Sequence, residues 1–355
     1  MKAITIQDRK VGLHHPTYFV ADIAANHDGD IGRSKDLIYL CAEAGANAAK
    51  FQHFSAKTIV SDYGFKSLGT QISHQAEWKK SVFEVYEDAS LNIDWTSILK
   101  ETCDDAGIAF FTSPYSLELV DAVDPFVPAY KVGSGDITWL EIIQYMATKK
   151  KPLLLATGAA TIDEVDRAVA TALTRTDDVV VMQCNTNYTG SVDNFYHINL
   201  NVLKLYREMY PDLVLGLSDH TPGPTTVLGA VALGARVIEK HFTDDANREG
   251  PDHGFSMTPS TWREMVDRTR ELEAALGKAI KKVETNEQET VILQRRGIRA
   301  KETLTPGVTL TRDLLEVLRP CPSDALPPYR LDEILGKTVV NQIQEGDHLR
   351  WTDLK

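Results

Sequence analysis

The chain has 355 residues, with 38 Lys plus Arg against 50 Asp plus Glu and a formal net charge of −12, a balance that disfavours nucleic-acid binding. Hydrophobic residues at 43% and charged residues at 25% are ordinary globular proportions and exclude collagen-like and disordered classes. No run approaches the roughly 18 apolar residues of a membrane span, and MKAITIQDRKVGLHHPT is too polar for a secretory leader.

Four cysteines, Cys41, Cys103, Cys184 and Cys321, lie far apart in no CxxC or disulfide-dense pattern, which reads as reduced thiols in a cytoplasmic protein. Because the acidic balance repels anions at long range, any phosphate or carboxylate site must come from a local cluster of Lys, Arg and backbone N–H groups.

Taken in chain order, a short apolar run, a polar or glycine turn and a segment of helical spacing recur from residue 19 to 242. The runs are FVADIAAN (19–26), AAKFQHF (48–54), IAFFTSPY (108–115), AYKVGSG (129–135), KPLLLATG (151–158), VVVMQCNTNY (179–188), LVLGLSDH (213–220) and RVIEKHF (236–242). Continuous apolar runs alternating with helices predict parallel strands buried on both faces and joined by right-handed crossovers. Eight such units predict an α/β TIM (β/α)8 barrel; a doubly wound sheet is the structural alternative, but no GxGxxG follows the first run.

Between the runs, 34–46 is predicted helical, with Leu37, Leu40, Cys41 and Ala44 on one face and Gly45 at its end. Thr161 followed by Glu164 predicts a capping box opening a helix over 161–173. A long helix is expected over 259–277, then a charged connection over 278–290. The domains expected are a barrel over 1–285, a linker over 286–294 and a small β-rich unit over 295–355, with turns at its PG and EG pairs.

The strand C-termini of such a barrel carry its chemistry. Here they bear Asp22, Lys50, Gln52, Ser113, Tyr115, Lys131, Ser134, Asp136, Thr186, Tyr188, Ser218, Asp219, His220, Glu239, Lys240 and His241. Charges inside apolar strands are costly unless paired, so Asp22, Lys50, Lys131 and Glu239 require one another or a ligand. Two lysines among small hydroxyls suit a phosphate and a carboxylate; structural ion pairs are the plain alternative. His220 and His241 close adjacent runs and could share one metal, leaving coordination sites for water and a substrate oxygen, with Asp252 and His253 of GPDHGFSM close by. Gly133-Ser134-Gly135 and Thr157-Gly158 permit close backbone approach to an anion, although such glycines also occur in plain turns. Arg319 reads from composition as an ordinary surface arginine.

The ordered strings ADIAANHDGD, AAKFQHF, FTSPYS, AYKVGSGD, LATGAA, QCNTNY, GLSDHT, ARVIEKHFT and GPDHGFSM resemble the sialic acid synthase (N-acetylneuraminate synthase) family, which includes legionaminate and pseudaminate synthases. From about 295 the chain resembles that family's antifreeze-like SAF domain, of β-clip form. The resemblance implies condensation of phosphoenolpyruvate with an N-acetylmannosamine-type aldehyde sugar and water, releasing phosphate. It implies a divalent ion, Mn²⁺ with Mg²⁺ or Co²⁺ as alternatives, on His220 and His241. Lys50, Ser113, Lys131, Ser134, Thr186 and Ser218 would bind phosphoenolpyruvate. Tyr115, Tyr188 and Asp252 would face an N-acylated hexosamine, and Asp22, Asp136 and Glu239 would form the catalytic acid–base group. Arg319 would reach the sugar end of a neighbouring subunit's site in a homodimer with swapped SAF domains.

Three residues depart from the family pattern: Asp22 and Asp136 stand where Glu is usual, and Ala156 replaces a frequent serine. Each Asp sets its carboxylate back by about 1.5 Å, enough to matter in positioned catalysis. A related phosphoenolpyruvate-dependent synthase acting on a different sugar, and a weakly catalytic sugar-binding paralogue, are the alternative readings.

Overall fold

Every one of the eight apolar runs forms a strand. The computed structural model describes residues 2–69, 75 and 78–355. A short antiparallel hairpin comes first, β1 (Ile4–Ile6) and β2 (Arg9–Val11). The runs follow as β3 (Tyr18–Asp22), β4 (Ala48–His53), β5 (Ala109–Pro114), β6 (Tyr130–Val132), β7 (Leu153–Ala156), β8 (Val179–Cys184), β9 (Val214–Asp219) and β10 (Ala235–His241). They form one parallel eight-stranded sheet in the order β5-β4-β3-β10-β9-β8-β7-β6, whose two end strands lie side by side in a nearly closed TIM-like barrel.

Successive side chains of a strand point to opposite faces, and this period of two sorts the barrel. Phe19, Ala21, Ala49, Phe51, Phe110, Leu153, Val181 and Ile238 belong to the apolar layer shared with the surrounding helices. Val20, Ala48, Phe111, Leu154, Val180, Met182 and Val237 make a second, interior cluster together with Ile4, Ile6 and Val11 of the hairpin. The hairpin thus plugs the end of the barrel that holds the strand N-termini. Gly216 belongs to this tight interior, since a Cβ there would lie 2.8 Å from Met182 Cγ.

The helices match the expected positions, the first lying earlier in the chain at both ends. The first spans Ile31–Glu43 and is capped by Asp30, whose carboxylate accepts from the Arg33 N–H; Gly45 follows at φ +97°, the left-handed conformation that ends a helix. The helix Ile162–Leu173 opens with the Thr161–Glu164 capping box, and Pro259–Leu276 is the long helix that follows β10.

The chain divides into two compact units, 1–277 and 278–355. The second contains a helix over Gln288–Gln294 and an antiparallel pair, β11 (Gly297–Ala300) and β12 (Leu315–Leu318). It has its own core of Ile298, Leu304, Leu310, Leu315, Leu326, Ile334, Val339, Ile343 and Leu349, and Gly307 and Gly346 turn the chain at φ +97° and +79°. All four cysteines are free thiols. No helix among the described residues is long and apolar enough to cross a membrane.

Candidate active site

The interior positions that follow the apolar layer, one step nearer the strand C-termini, are polar. Asp22, Lys50, Lys131 and Glu239 are all at least 96% buried and converge from β3, β4, β6 and β10. Lys50 Nζ donates to Asp22 Oδ2 at 2.6 Å and lies 3.9 Å from Glu239 Oε1; Lys131 Nζ lies 3.3 Å from the same oxygen. Ser218 Oγ donates to Glu239 Oε1 at 3.2 Å, whereas the buried Glu239 Oε2 has no hydrogen-bond partner among the described residues. Burial opposes the charge on Lys50, yet Asp22 and Glu239 together hold its pKa above the ordinary lysine value.

The chain kinks directly after β3. Ala24 at φ 46° and Asp28 at φ 52° adopt the left-handed region, an uncommon state for side chains with a Cβ. The kink aims the Ala24 N–H at Asp22 Oδ1 (3.1 Å) and the Ala25 N–H at Asp252 Oδ2 (3.1 Å), tying the 242–256 loop to the end of β3.

Small polar side chains close tightly on Gly158, after β7. The Gly158 N–H donates to Ser134 Oγ at 3.0 Å, and a Cβ at Gly158 would stand 1.8 Å from Thr186 Oγ1, 2.8 Å from Ser134 Oγ and 3.1 Å from Cys184 Sγ. On β5, Ser113 Oγ is buried without a hydrogen-bond partner among the described residues. Unpaired buried hydroxyls are costly, so this orphan marks a place where a ligand oxygen would be welcome.

His220 and His241 face one another with ring centroids 5.4 Å apart. The Asn185 carbonyl accepts from His220 Nδ1 at 3.0 Å, which fixes the tautomer and leaves Nε2 with a lone pair. Burial lowers the pKa of both imidazoles, that of His241 well below the ordinary value with His220 and Lys50 adding to the effect, so both are neutral near pH 7. His241 Nδ1 is buried with no hydrogen bond among the described residues; Asp22 Oδ2 lies 3.6 Å from its Nε2 and Asp252 Oδ2 3.9 Å from its Nδ1. Two neutral imidazoles with an orphaned ring nitrogen and carboxylates at the edge suit a divalent cation. Among the described residues no group of three or more His, Cys, Asp or Glu could hold a metal, so solvent or substrate oxygens would complete the set.

Beside these groups opens a cavity of about 380 Å³ lined by Gln52, Tyr86, Tyr115, Asp136, Tyr188, His241 and Asp252, among others. Burial pushes the carboxyl of Asp136 up to about 6 against the opposing pull of Lys131, and burial likewise raises Asp252 to about 6. The hydroxyls of Tyr115 and Tyr188 are held above their ordinary pKa by burial. Tyr188 packs against both histidines, its ring centroid 4.5 Å from His220 and 6.3 Å from His241.

The residues singled out on the barrel therefore gather at one mouth, with two exceptions. Asp219 and Lys240, counted there from their runs, point instead to the outer face, because they alternate with Ser218, His220, Glu239 and His241. Arg319 lies in the second unit, exposed just after β12. Trp78, Tyr86 and Phe255 also meet the cavity or the rings, and no spacing in the sequence marks them. Of the segment 61–80, residues 61–69, 75 and 78–80 are described; residues 70–74, 76 and 77 lie outside the described residues.

The NeuB family model matches residues 37–281 and the SAF domain model matches 295–355. A protein of Methanocaldococcus jannaschii is 33% identical over 356 residues, covering 100% of this chain and 99% of its own. The N,N'-diacetyllegionaminic acid synthase of Campylobacter jejuni is 31% identical over 338 residues, covering 94% of this chain and 99% of its own. The solved N-acetylneuraminic acid (sialic acid) synthetase of Leptospira borgpetersenii, in complex with citrate, superposes with a TM-score of 0.71 at 25% identity, covering 82% of this chain and 95% of that one. With the barrel, the polar mouth and both profiles in agreement, the chain belongs to the NeuB family of sialic- and nonulosonic-acid synthases.

Proposed function

We propose that the protein condenses phosphoenolpyruvate with an N-acylated mannosamine-type aldehyde sugar and water, forming a nine-carbon 2-keto acid and releasing phosphate. The observation that carries this reading is the convergence of two buried ammonium groups on one carboxylate, within a barrel mouth that also holds two neutral imidazoles. A protein that only bound sugar would have no use for that buried charge.

In this reading Lys50 and Lys131 hold the carboxylate and phosphate of phosphoenolpyruvate, with Ser113, Ser134, Thr186 and Ser218 donating to their oxygens. Asp22 orients Lys50 through its 2.6 Å hydrogen bond. His220 and His241 hold a divalent cation, Mn²⁺ with Mg²⁺ or Co²⁺ as alternatives, which when bound supplies Lewis-acid polarisation of the aldehyde. C3 of phosphoenolpyruvate attacks the aldehyde carbon, a C–C bond forms, and positive charge develops at C2. Glu239 Oε2, which has no other partner, offers its negative charge to that carbon. Water adds at C2 and passes its proton to Asp136, whose pKa near 6 suits a base working near neutrality. The proton taken by Asp136 returns through solvent to the new alkoxide, and the C2 hydroxyl passes its remaining proton to the departing phosphate as the C2–O bond breaks and the ketone forms. Tyr115, Tyr188 and Asp252 contact the sugar, and Arg319 completes that end from the neighbouring subunit of a homodimer with exchanged SAF domains.

The test is phosphate release from phosphoenolpyruvate with Mn²⁺ against N-acetylmannosamine, 2,4-diacetamido-2,4,6-trideoxymannose and the corresponding altrose. Release with one sugar supports the reaction and names the acceptor. Silence across the panel from folded, Mn²⁺-loaded protein would point to an acceptor outside this class.

A further inference from the structure

The outer face of the barrel, directly behind the two imidazoles, carries a second buried ion pair that the proposed chemistry does not use. Asp219 ends β9 and Lys240 is the penultimate residue of β10; they are cross-strand partners in the ladder, and their side chains are 0% and 1% exposed. Lys240 Nζ donates to Asp219 Oδ2 and, at 2.5 Å, to the Thr221 carbonyl. Asp219 Oδ2 also accepts from Thr221 Oγ1 at 2.8 Å and from Thr226 Oγ1 at 2.7 Å, while Oδ1 accepts from the Thr221 N–H at 3.3 Å. Thr226 lies in the first turn of the helix Thr225–Ala232, so the carboxylate ties together the end of β9, its turn, the next helix and β10.

We infer that Asp219 and Lys240 are positioning residues, which fix the separation of the two strand ends so that His220 and His241 meet one cation. His220 follows Asp219 and His241 follows Lys240, so each imidazole hangs from the backbone next to a charged anchor. The rings have few anchors of their own: His220 has one described hydrogen bond, to Asn185, and His241 Nδ1 has none. Their placement therefore depends on the backbone and on ring packing, such as Phe255 against His241 at 4.8 Å. Stability does not explain the charges, because a well-packed apolar pair of similar volume serves a barrel wall as well or better than a buried ion pair. Two ion-paired side chains with satisfied oxygens give instead a single allowed geometry. Groups that orient metal ligands through hydrogen bonds set metal affinity, and Asp219 and Lys240 would exert the same control one step removed, through the backbone that carries the rings.

This inference rests on His220 and His241 being the cation ligands, and the experiment separates the two claims. Mn²⁺ binding is measured directly, without turnover, from the electron paramagnetic resonance signal of the free ion, on wild type, His241→Ala and the double variant Asp219→Leu/Lys240→Met. Both charges are replaced together because a lone buried partner would be strongly destabilising. The expected result is a double variant with a thermal midpoint near that of the wild type and Mn²⁺ affinity weakened about ten-fold or more, with His241→Ala losing the site. Wild-type affinity in the folded double variant overturns the positioning role and leaves the ligand assignment standing. Tight Mn²⁺ binding that survives His241→Ala, or none in wild type, overturns the ligand assignment and this inference with it. If the double variant fails to fold, Thr226→Val removes one hydrogen bond from Asp219 and keeps the ion pair, with an expected loss of about three-fold. Unchanged affinity there overturns the proposal.

Discussion

Asp136 ties a single residue to a measurable pH profile. Burial raises its carboxyl to about 6, so a base role requires the ionised form, and kcat/KM of the wild type should fall about ten-fold per pH unit below that value. Asp136→Asn should lose roughly 10²- to 10⁴-fold in kcat and abolish that acidic limb. Stability should move the other way. A carboxyl raised on folding binds its proton more tightly in the native state, so its favourable contribution exists at low pH and is lost as pH rises through about 6. Asp136→Asn should therefore raise the thermal midpoint at pH 8 relative to wild type, and the gain should shrink toward pH 4. Gly158 makes the same point by steric means. A Cβ 1.8 Å from Thr186 Oγ1 and 2.8 Å from Ser134 Oγ displaces both hydroxyls, so Gly158→Ala should keep its circular dichroism but lose about 10²-fold in kcat/KM for phosphoenolpyruvate.

For the individual elements, local patterns were strong enough to read directly. Each β-run was continuous and apolar because its strand is covered on both faces, by helices outside and by packed side chains inside. The Thr161–Glu164 box was legible because both partners lie within one turn; Thr161 N–H and Oγ1 donate to Glu164 Oε2 at 2.7 and 2.9 Å. Thr161→Ala should cost about 1 kcal/mol in urea unfolding with kcat unchanged, since the cap lies outside the chemistry. Less legible was the start of the first helix, which begins at Ile31 because Asp30 supplies the cap before the apolar stripe is established. The hairpin β1–β2 was also missed: strands of three residues are too short to show a period, and its Ile4, Ile6 and Val11 gain meaning only as a plug for the barrel floor.

In the molecule as a whole, the two units each have a separate apolar core, and the charged residues assigned to the site, one apart, belong to the first. Arg319 is the exception. Were it to act across a homodimer, Arg319→Ala and His241→Ala proteins, each inactive alone, should regain turnover when unfolded together and refolded as a mixture. A mixed dimer would hold one site with an intact His241 and an intact partner arginine. Activity that stays at the sum of the two separate variants would show that Arg319 does not complete a neighbour's site.

Periodicity along the chain was enough for the class of architecture, the eight strands and the capping box, and the cost of charge in an apolar strand marked the strand ends as the place of the chemistry. It also pointed to the pairing of Asp22, Lys50, Lys131 and Glu239, since unpaired they could not be buried. Only the tertiary structure decided which charges face inward. Asp219 and Lys240 sit one residue from the histidines yet point outward, because a strand turns over at every residue while the chain offers no sign of which face is the interior. It also decided the close packing at Gly158 and the contact of Ala25 with Asp252, 227 residues apart, because closing the barrel joins segments whose distance along the chain carries no local signal.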